Sequence, residues 1–299
     1  MYSIAGFSKQ AFHKMLDRKL LQEQQSIELV KIVRQVRKDH PRMGARNMYE
    51  LIQPDFIGRD KFEKICFENG FKVTTKPNYK KTTNSWGVTR FDNLIKDIEL
   101  NSFNQVWVSD ITYFELNNQF VYITLIMDLY SRKIIGHALS KTLRTGDTTL
   151  PAIKMAIKAR KGANFKDTIF HSDGGGQYYA KEFRAVLKNA GLKSSMAENV
   201  YENPHAERIN RTIKSDYIKP YKPSNHSQLQ QCLNKAVDMY NNYRPHKSLN
   251  KLTPTAFSRM AKPYQQNQSL LTKEKRSKKE KIITSNNNIV KPSNVVNLI

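Results

Sequence analysis

Cysteine is almost absent from this chain of 299 residues. Its only two cysteines, Cys66 and Cys232, lie far apart in the sequence, which argues against a disulfide framework and against a cysteine-rich zinc site. Long apolar runs are lacking as well, because none reaches the roughly 18 residues that a membrane span requires, and the first ten residues contain no apolar signal core. We therefore expect a protein of a reducing cytoplasm without a membrane partner.

Acidic residues are also scarce relative to basic ones. Lys and Arg number 50 against 26 for Asp and Glu, which gives a formal net charge of +24. Solubility needs far less, and the excess is spread along the whole chain. This distribution indicates a polyanionic partner, such as a nucleic acid, that lies along the molecule. The alternative is a generally Lys-rich proteome, in which the excess has no specific role.

The N-terminal part of the chain has the pattern of a small all-helical domain, which we place at residues 1–73. Apolar residues recur at helical spacing among charged ones, and His40-Pro41 ends the first helix because a residue before proline avoids helical geometry. Two short helices are predicted next, over 45–52 and 60–69. Three helices with a tight turn before the last are typical of a helix-turn-helix.

The third of these helices is the candidate element for reading DNA. Asp60 and Glu63 have the spacing of a capping box at its start, and Gly70 suits its C-terminal cap. In a helix-turn-helix this helix would enter the major groove. The alternative is a plain three-helix packing unit whose basic residues only face solvent. The basic residues available to DNA near its N-terminal end are Arg59, Lys61 and Lys64.

Residues 101–225 have the pattern of an α/β domain. Three apolar strands with short turns are followed by alternating helices and strands, in the order βββαβαβα, which predicts a mixed five-stranded sheet of the RNase H-like fold. The other segments are predicted as a basic linker over 74–100, a helical extension over 226–261 and a basic disordered tail over 262–299.

Two acidic residues interrupt the predicted strands. Asp110 lies inside the apolar run from Val106 to Tyr113, where a buried carboxylate costs free energy unless it is paired or bound to metal. Asp173 ends a later strand and precedes three glycines, which permit close approach and unusual backbone angles. Together with Glu207, in the first turn of a following helix, these aspartates can supply the oxygen ligands that Mg²⁺ or Mn²⁺ prefers.

The helix that carries Glu207 has two different faces. Glu207, Arg211, Lys214 and Ile218 fall at i, i+4, i+7 and i+11 on one stripe, so a metal ligand would have two cations beside it, facing the DNA backbone. The alternative is an ordinary surface pair of Glu207 and Arg211, worth about 0.2–0.5 kcal/mol. A separate apolar stripe consists of Ala206, Ile209, Ile213 and Tyr217.

Five ordered segments resemble the catalytic, second-frame transposase of the third insertion-sequence family, a relative of retroviral integrases. They are WVSDITYF, DLYSRKIIGHALS, HSDGGGQY, NPHAERINRTIKSDYI and YNNYRPHKSLNKLTP. The upstream segment HPRMGARNMYELI resembles the small helix-turn-helix unit of that family. The resemblance covers about residues 25–260 and implies an integrase-like catalytic core.

The resemblance implies that Asp110, Asp173 and Glu207 form an Asp, Asp, Glu triad that holds two divalent ions, Mg²⁺ or Mn²⁺. It also implies that Lys214 contacts the terminal DNA, with Arg211 as a neighbouring candidate.

The chain departs from the family pattern in two places. The interval between the last two triad residues is 33 residues (207 − 173 − 1), where the family has about 35, and Glu202 stands where an aspartate is usual. We interpret the first departure as a shortened loop between Glu198 and Tyr201. Neither departure removes a ligand.

Several other polar residues allow two interpretations. Asp128 is the main rival as a metal ligand, but Ser131 and Arg132 follow it closely and favour a turn cap or an ion pair. His171 shares a strand face with Asp173, and either touches substrate or is a hydrogen-bonded structural histidine. Arg244, in the segment YNNYRPHKS, either positions DNA or anchors the structure. Asp216 and Glu202 are interpreted as ion-pair or surface residues.

The predicted function is that of a DNA transposase. As a Mg²⁺-dependent polynucleotidyl transferase, it would nick an element end to free a 3′-hydroxyl and then use this hydroxyl to attack a second phosphodiester. Its predicted partners are double-stranded DNA, as element ends and target, and further copies of itself in a nucleoid-associated multimer. The resemblance adds a circular intermediate and an upstream-frame helix-turn-helix protein. The alternatives are a nuclease that only hydrolyses and a non-catalytic DNA-binding protein.

Overall fold

The computed structural model describes residues 8–74, 91–197 and 203–260. Most of the predicted linker, the residues of the predicted shortened loop, Glu202 and the predicted tail lie outside the described residues. No helix within the described ranges has the length and apolar character that membrane crossing requires. Met1–Thr255 form one compact unit and Ala256–Ile299 a second. All elements below belong to the first unit, and the predicted domain boundaries stay predictions.

The N-terminal region is helical, as its pattern predicts. Helix α1 spans Lys9–Asp39, α2 spans Ala45–Ile52 and α3 spans Arg59–Glu68. The Ser8 hydroxyl accepts a hydrogen bond from the backbone N–H of Ala11 and so caps α1. A small core joins the three helices and includes Leu29, Val33, Met43, Met48, Phe62 and Cys66.

The predicted capping box of α3 is wrong. The helix begins at Arg59 after an extended Gly58 that contributes no side-chain cap, so Asp60 lies inside the first turn. There its carboxylate accepts two hydrogen bonds from the Arg59 guanidinium. Because helix N-termini attract negative charge, this position is favourable without a cap. Gly70, with a φ of 77°, does adopt the left-handed conformation that ends such helices.

The central sheet has five strands in the order β3-β2-β1-β4-β5. Strands β1, β2 and β3 are antiparallel, while β4 and β5 run parallel to β1. This mixed arrangement, with helices between the later strands, confirms the predicted RNase H-like fold. The bounds are Val106–Leu116 for β1, Gln119–Asp128 for β2, Ile134–Ser140 for β3, Ile169–Ser172 for β4 and Lys193–Met196 for β5.

Helices cover both faces of this sheet, because the side chains of β1 alternate between two apolar clusters. Trp107 packs into a cluster with α4 (Thr149–Ala159) and α5 (Lys181–Ala190). Val106 and Val108 point to the other face, which is covered by three further helical elements. These are α6 (Pro204–Arg211), a π-helical segment (Thr212–Ile218) and α8 (His226–Tyr243), with the short α7 (Lys219–Tyr221) before α8.

The π-helical segment corrects one detail of the sequence interpretation. The apolar stripe of Ala206, Ile209, Ile213 and Tyr217 is buried in the core as predicted. Ile218 is buried beside Tyr217 and does not continue the polar stripe. A π-helix closes i→i+5 hydrogen bonds and fits an additional residue into each turn, so the regular α-helical spacing fails after position 212.

The end of α1 contacts the helices that cover the sheet. The Nδ1 atom of His40 lies 3.0 Å from the Tyr217 hydroxyl, and Tyr221 donates a hydrogen bond of 2.9 Å to the Asp39 carbonyl. Lys235 on α8 also pairs with the Asp39 carboxylate at 2.9 Å. Burial, followed by repulsion from the Arg244 guanidinium, lowers the pKa of His40 to about 4. At neutral pH, the His40 imidazole that connects the end of α1 to Tyr217 is therefore neutral.

Candidate active site

Strand register brings Asp110 and Asp173 side by side. The parallel pairing of β1 and β4 matches Val106 with Ile169 and Val108 with His171, a constant offset of 63 positions (169 − 106 and 171 − 108). The same offset pairs Asp110 with Asp173, one residue beyond the end of β4. Both aspartates lie an even number of positions from these pairs, so both are on the face that α6 covers.

The Asp110 carboxylate is crowded by negative charge. Burial raises its pKa most, and repulsion from Asp173 and then Glu207 raises it further, to about 7. Two hydrogen bonds oppose the shift, one from Asn210 Nδ2 to Oδ2 at 2.9 Å and one from the backbone N–H of Ile111. Asp110 thus shares its space with two other carboxylates, and this arrangement favours cation binding.

Asp173 lies at the open side of the same space. The residue is exposed, yet the strand ends around its carboxylate remove enough water to raise its pKa. Its Oδ1 atom accepts a 3.2 Å hydrogen bond from the Gly175 N–H. A Cβ atom on Gly175 would lie 3.1 Å from that oxygen, and one on Gly174 would lie 2.9 Å from Met196 Cε.

Gly174 and Gly175 therefore serve close approach, as expected, whereas a Cβ atom on Gly176 would meet nothing within 4 Å, and none of the three has a positive φ. The expectation of unusual backbone angles at these glycines is wrong, because the chain turns there through a short 3₁₀ helix over Gly176–Tyr178.

Helix α6 brings Glu207 to the two aspartates. Asn203 donates a 3.0 Å hydrogen bond to the Ser109 carbonyl, and Asn210 donates to Asp110. Glu207 lies four residues after Asn203 and three before Asn210, so it is on the helix face that follows β1. Its side chain is exposed, at the edge of the space that Asp110 and Asp173 enclose.

The predicted basic stripe is divided between two environments. Arg211 is exposed to solvent. Lys214 is held against β1, where its ammonium group donates hydrogen bonds of 2.9 Å to Thr112 Oγ1 and 3.1 Å to the Tyr113 carbonyl. Burial, followed by repulsion from Lys219, lowers the pKa of Lys214. Contact of either residue with DNA stays a prediction.

The donor set suits a hard divalent cation, since three carboxylates provide oxygen ligands and negative charge. As placed, no group of three His, Cys, Asp or Glu side chains within the described ranges stands close enough to hold a metal. The observation in favour of a cation is the like-charge crowding that raises the pKa of Asp110. The chemistry of the residues therefore fits Mg²⁺ or Mn²⁺.

The rival residues are engaged elsewhere. Asp128 is fully buried, and its oxygens accept hydrogen bonds from Ser131 N–H and Oγ and from the Asn104 N–H, with Arg160 at 3.4 Å. This environment matches the predicted turn cap, but the ion-pair partner is Arg160 and not the neighbouring Arg132, which contacts His205 instead. His171 is buried, with Nδ1 2.9 Å from Ser195 Oγ, which favours the structural interpretation.

Arg244 has the geometry of a structural anchor. It pairs with Asp216 at 3.1 Å and lies over the ring of Tyr217 at 5.9 Å. Asp216 is therefore an ion-pair residue, as predicted. These contacts support the second interpretation of Arg244, and its contact with DNA stays a prediction.

The basic residues of α3 remain available for DNA. Arg59 pairs with Asp60 at 2.9 Å, and Lys64 lies 3.9 Å from Glu68. Such exposed pairs contribute roughly 0–1 kcal/mol and break easily. Lys61 is exposed. Contact of these three residues with DNA stays a prediction.

Sequence reasoning missed the two asparagines that dock α6 on β1. Asn203 and Asn210 are buried, at 5% and 4% exposure, although their residue type is usually on the surface. They lie seven residues apart, on the face of Glu207. A search for polar residues on the helix face of a candidate ligand would have found Asn210.

The chain is similar to known proteins over its central and C-terminal described parts. Two family models, both described as an integrase core domain, match residues 101–200 and 193–254. The chain is 28% identical to the "Insertion element IS600 uncharacterized 31 kDa protein" of Shigella sonnei, over 86% of this chain and 97% of that protein. It is 31% identical to a "Putative transposase for insertion sequence element IS986/IS6110" of Mycobacterium tuberculosis, over 60% of this chain and 68% of that protein.

Among solved structures, the chain is similar to the HTLV-2 integrase catalytic core domain in complex with magnesium. The TM-score is 0.43 and the identity 20%, over 52% of this chain and 95% of that one. The fold assignment rests on the strand order described above.

Proposed function

The chain belongs to the integrase-core transposases of the third insertion-sequence family, and we propose that Asp110, Asp173 and Glu207 are its catalytic carboxylates. As a DNA transposase, it is a polynucleotidyl transferase. The observation that carries the proposal is the in-register placement of Asp110 and Asp173, with the pKa of Asp110 raised by burial and then by repulsion from Asp173 and Glu207.

The proposed cofactor is a pair of Mg²⁺ or Mn²⁺ ions held by these three residues. When bound, two such ions activate an attacking hydroxyl and stabilise the leaving oxygen of an in-line displacement at phosphorus. The protein residues orient the ligands. Asn210 fixes one oxygen of Asp110, and the Gly175 N–H fixes one oxygen of Asp173.

The proposed reaction has two stages on DNA. Water attacks a phosphodiester at the element end and frees a 3′-hydroxyl, and this hydroxyl then attacks a second phosphodiester. Arg211 and Lys214 border the carboxylates on the same helix and suit the phosphates on either side of the reacting one. No side chain forms a covalent intermediate.

We further propose double-stranded DNA as the partner at the element ends and at the target, because the chain carries a net charge of +24. Joining two ends requires that they be held together, which favours a homo-multimer on DNA. An upstream-frame helix-turn-helix protein is a further proposed partner. The proposed setting is the bacterial cytoplasm, at the nucleoid.

A strand-transfer assay with Glu207→Gln tests the proposal. The substrate is labelled duplex DNA that carries the element ends, with Mg²⁺ present. The matched control is Glu182→Gln, which makes the same change in the first turn of α5, on the other face of the sheet. We expect Glu207→Gln to abolish both cleavage and joining, and Glu182→Gln to retain both.

Other outcomes identify the alternatives. Cleavage without any joined product in the unaltered chain would indicate a nuclease that only hydrolyses. DNA binding without cleavage would indicate a non-catalytic DNA-binding protein. Full activity of Glu207→Gln would overturn the assignment of the carboxylates.

A further inference from the structure

Helix α6 has a second polar flank, on the side away from Asp110. His205 and Arg208 are three residues apart and share this flank, whereas Glu207 and Asn210 share the flank along β1. The Arg132 guanidinium, from the turn between β2 and β3, donates a 2.8 Å hydrogen bond to Nδ1 of His205. The second flank of α6 is therefore connected to the turn between β2 and β3 by a hydrogen bond.

The turn that carries Arg132 is held in an unusual conformation. Arg132 has a φ of 58°, in the left-handed region that costs a non-glycine residue roughly 1–2 kcal/mol. Two hydrogen bonds from Ser131 to the Asp128 carboxylate fix the turn, and a third joins the Asp128 N–H to the Lys133 carbonyl. Such strain persists where the surroundings impose it and is frequent at functional sites.

Positive charge on this flank is not balanced by carboxylates. The phenol of Tyr240 lies in the field of three guanidiniums, those of Arg244, Arg132 and Arg208. Arg244 has Asp216 as its partner. Neither Arg132 nor Arg208 has a carboxylate within salt-bridge distance among the described residues, and the nearby Asp128 is bound by Arg160. The guanidinium groups of Arg132 and Arg208 thus lie close together, each without a salt bridge among the described residues.

We propose that Arg132 and Arg208 bind a backbone phosphate of DNA, at a site separate from the three carboxylates. Guanidiniums suit a phosphate because each can donate two parallel hydrogen bonds to its oxygens. Arg208 is exposed and reaches solvent, while His205 orients Arg132 from the side. The proposed ligand is the sugar-phosphate backbone, read without regard to base sequence.

The position of this site sets which phosphate it binds. An α-helix with its side chains is about 10–12 Å wide, and successive phosphates along one DNA strand rise by about 3.4 Å. The bound phosphate would therefore lie beyond α6, a few nucleotides from the reacting one. This inference rests on the proposed function, since it takes DNA to cross α6 from one flank to the other.

The salt dependence of DNA binding tests the site. The probe is a short duplex of arbitrary sequence, and the variants are Arg208→Ala and, as a matched control, Lys154→Ala. Lys154 is exposed on α4, on the other face of the sheet, and its loss changes the net charge equally. We expect Arg208→Ala to reduce the slope of log affinity against log salt by about 0.9, the value of one phosphate contact. Lys154→Ala and Arg208→Lys should keep the slope of the unaltered chain.

A neutral phosphate gives an independent readout. Methylphosphonate is placed at one position at a time on the strand that is cut, beginning next to the reacting phosphate. We expect one position, a few nucleotides away, to weaken binding by the unaltered chain and to leave binding by Arg208→Ala unchanged. Thermal unfolding of both variants shows whether the fold is retained.

The outcomes separate this site from the proposed function. An unaltered slope in Arg208→Ala, with a methylphosphonate profile like that of the unaltered chain, would overturn the inference while cleavage persists. Absence of DNA cleavage by the unaltered chain would instead overturn the proposed function.

Discussion

Two aspartates, on opposite faces of the same sheet, have contrasting environments. Asp128 faces α4, and its two oxygens receive hydrogen bonds from Ser131 and the Asn104 N–H, with Arg160 beside them. Asp110 faces α6, receives hydrogen bonds from Asn210 and the Ile111 N–H, and is surrounded by further carboxylates. The protein supplies Asp128 with donors and a guanidinium, whereas it places Asp110 beside other carboxylates that raise its pKa after burial has done so.

The contrast shows how a buried carboxylate reveals its role. A carboxylate whose oxygens are filled by donors and a cation contributes to folding. One that shares its space with like charges destabilises the empty protein, and its environment becomes favourable when a cation arrives. Burial alone does not separate the two cases, since sequence reasoning flagged both residues.

The largest expected effect is on catalysis. Asp110→Asn removes a proposed metal ligand, and we expect DNA cleavage to fall at least about 1000-fold, because metal ions supply several kcal/mol of transition-state stabilisation. The free energy of unfolding should stay the same or rise, since the change removes a crowded charge. Cleavage kinetics and urea unfolding measure the two quantities. A decrease in the cleavage rate of less than tenfold would contradict the ligand assignment.

Substitution of Asp128, in contrast, is expected to affect the stability of the fold. Asp128→Ala leaves Arg160 without its carboxylate and the turn before β3 without its acceptor, so we expect the free energy of unfolding to fall by about 3–5 kcal/mol. Denaturant unfolding measures this loss. The control is Asp238→Ala, at an exposed carboxylate on α8, for which we expect a change within about 0.5 kcal/mol. Equal stability of both variants would remove the contrast between the two aspartates.

A third expectation concerns pH without divalent cations. The pKa of Asp110 is raised from its ordinary value of 3.8 to about 7, so folding favours its protonated form. The resulting stability is present below the ordinary pKa and is lost as pH rises through about 7. We therefore expect the unaltered chain to lose stability relative to Asp110→Asn between pH 4 and pH 7.

Unfolding measured across this pH range, with and without Mg²⁺, checks the expectation. Added Mg²⁺ should restore the stability lost at pH 7 in the unaltered chain and have a weaker effect on Asp110→Asn. A difference between the two proteins that is constant from pH 4 to pH 7 would show that Asp110 is not crowded by charge.

The smallest expected effect is at a positioning residue. Asn210→Ala removes the hydrogen bond that fixes Asp110 Oδ2, and we expect a loss of about 10- to 100-fold in metal affinity. Because this hydrogen bond lowers the pKa of Asp110, the acid limb of the pH–rate profile should move to higher pH. Asn242→Ala, at an exposed position on α8, is the control. A lower affinity with an unmoved acid limb would indicate a structural role only.

The fold followed from local patterns. Strand β1, Val106–Leu116, contains the apolar run from Val106 to Tyr113, because β-branched and aromatic residues predominate there. The strand and helix order then determined the sheet. The two aspartates were identified because a charge within an apolar strand requires a reason, whereas Glu207 required the family resemblance.

Other features were beyond local patterns because they depend on contacts between distant residues. The contact between His40 and Tyr217 joins positions 177 residues apart, and no periodicity in the sequence predicts it. The same holds for the contact between Arg132 and His205, which unites a turn and a helix 73 residues apart. The start of α3 was misplaced because Gly58 ends the preceding extended segment without a side-chain signal.

The π-helical segment Thr212–Ile218 lies between α6 and α7 in one continuous helical stretch. Because of it, side chains before and after the segment do not follow the regular α-helical spacing. Helix α6, before it, is held by β1 and presents Glu207. Tyr217 within the segment and Tyr221 after it contact the end of α1. Removal of one residue from this segment would restore regular α-helical winding and turn one part by about 100° relative to the other. The end that carries Glu207 and the end that contacts α1 could then no longer both keep their contacts. The additional residue therefore sets the rotation of one end about the helix axis relative to the other.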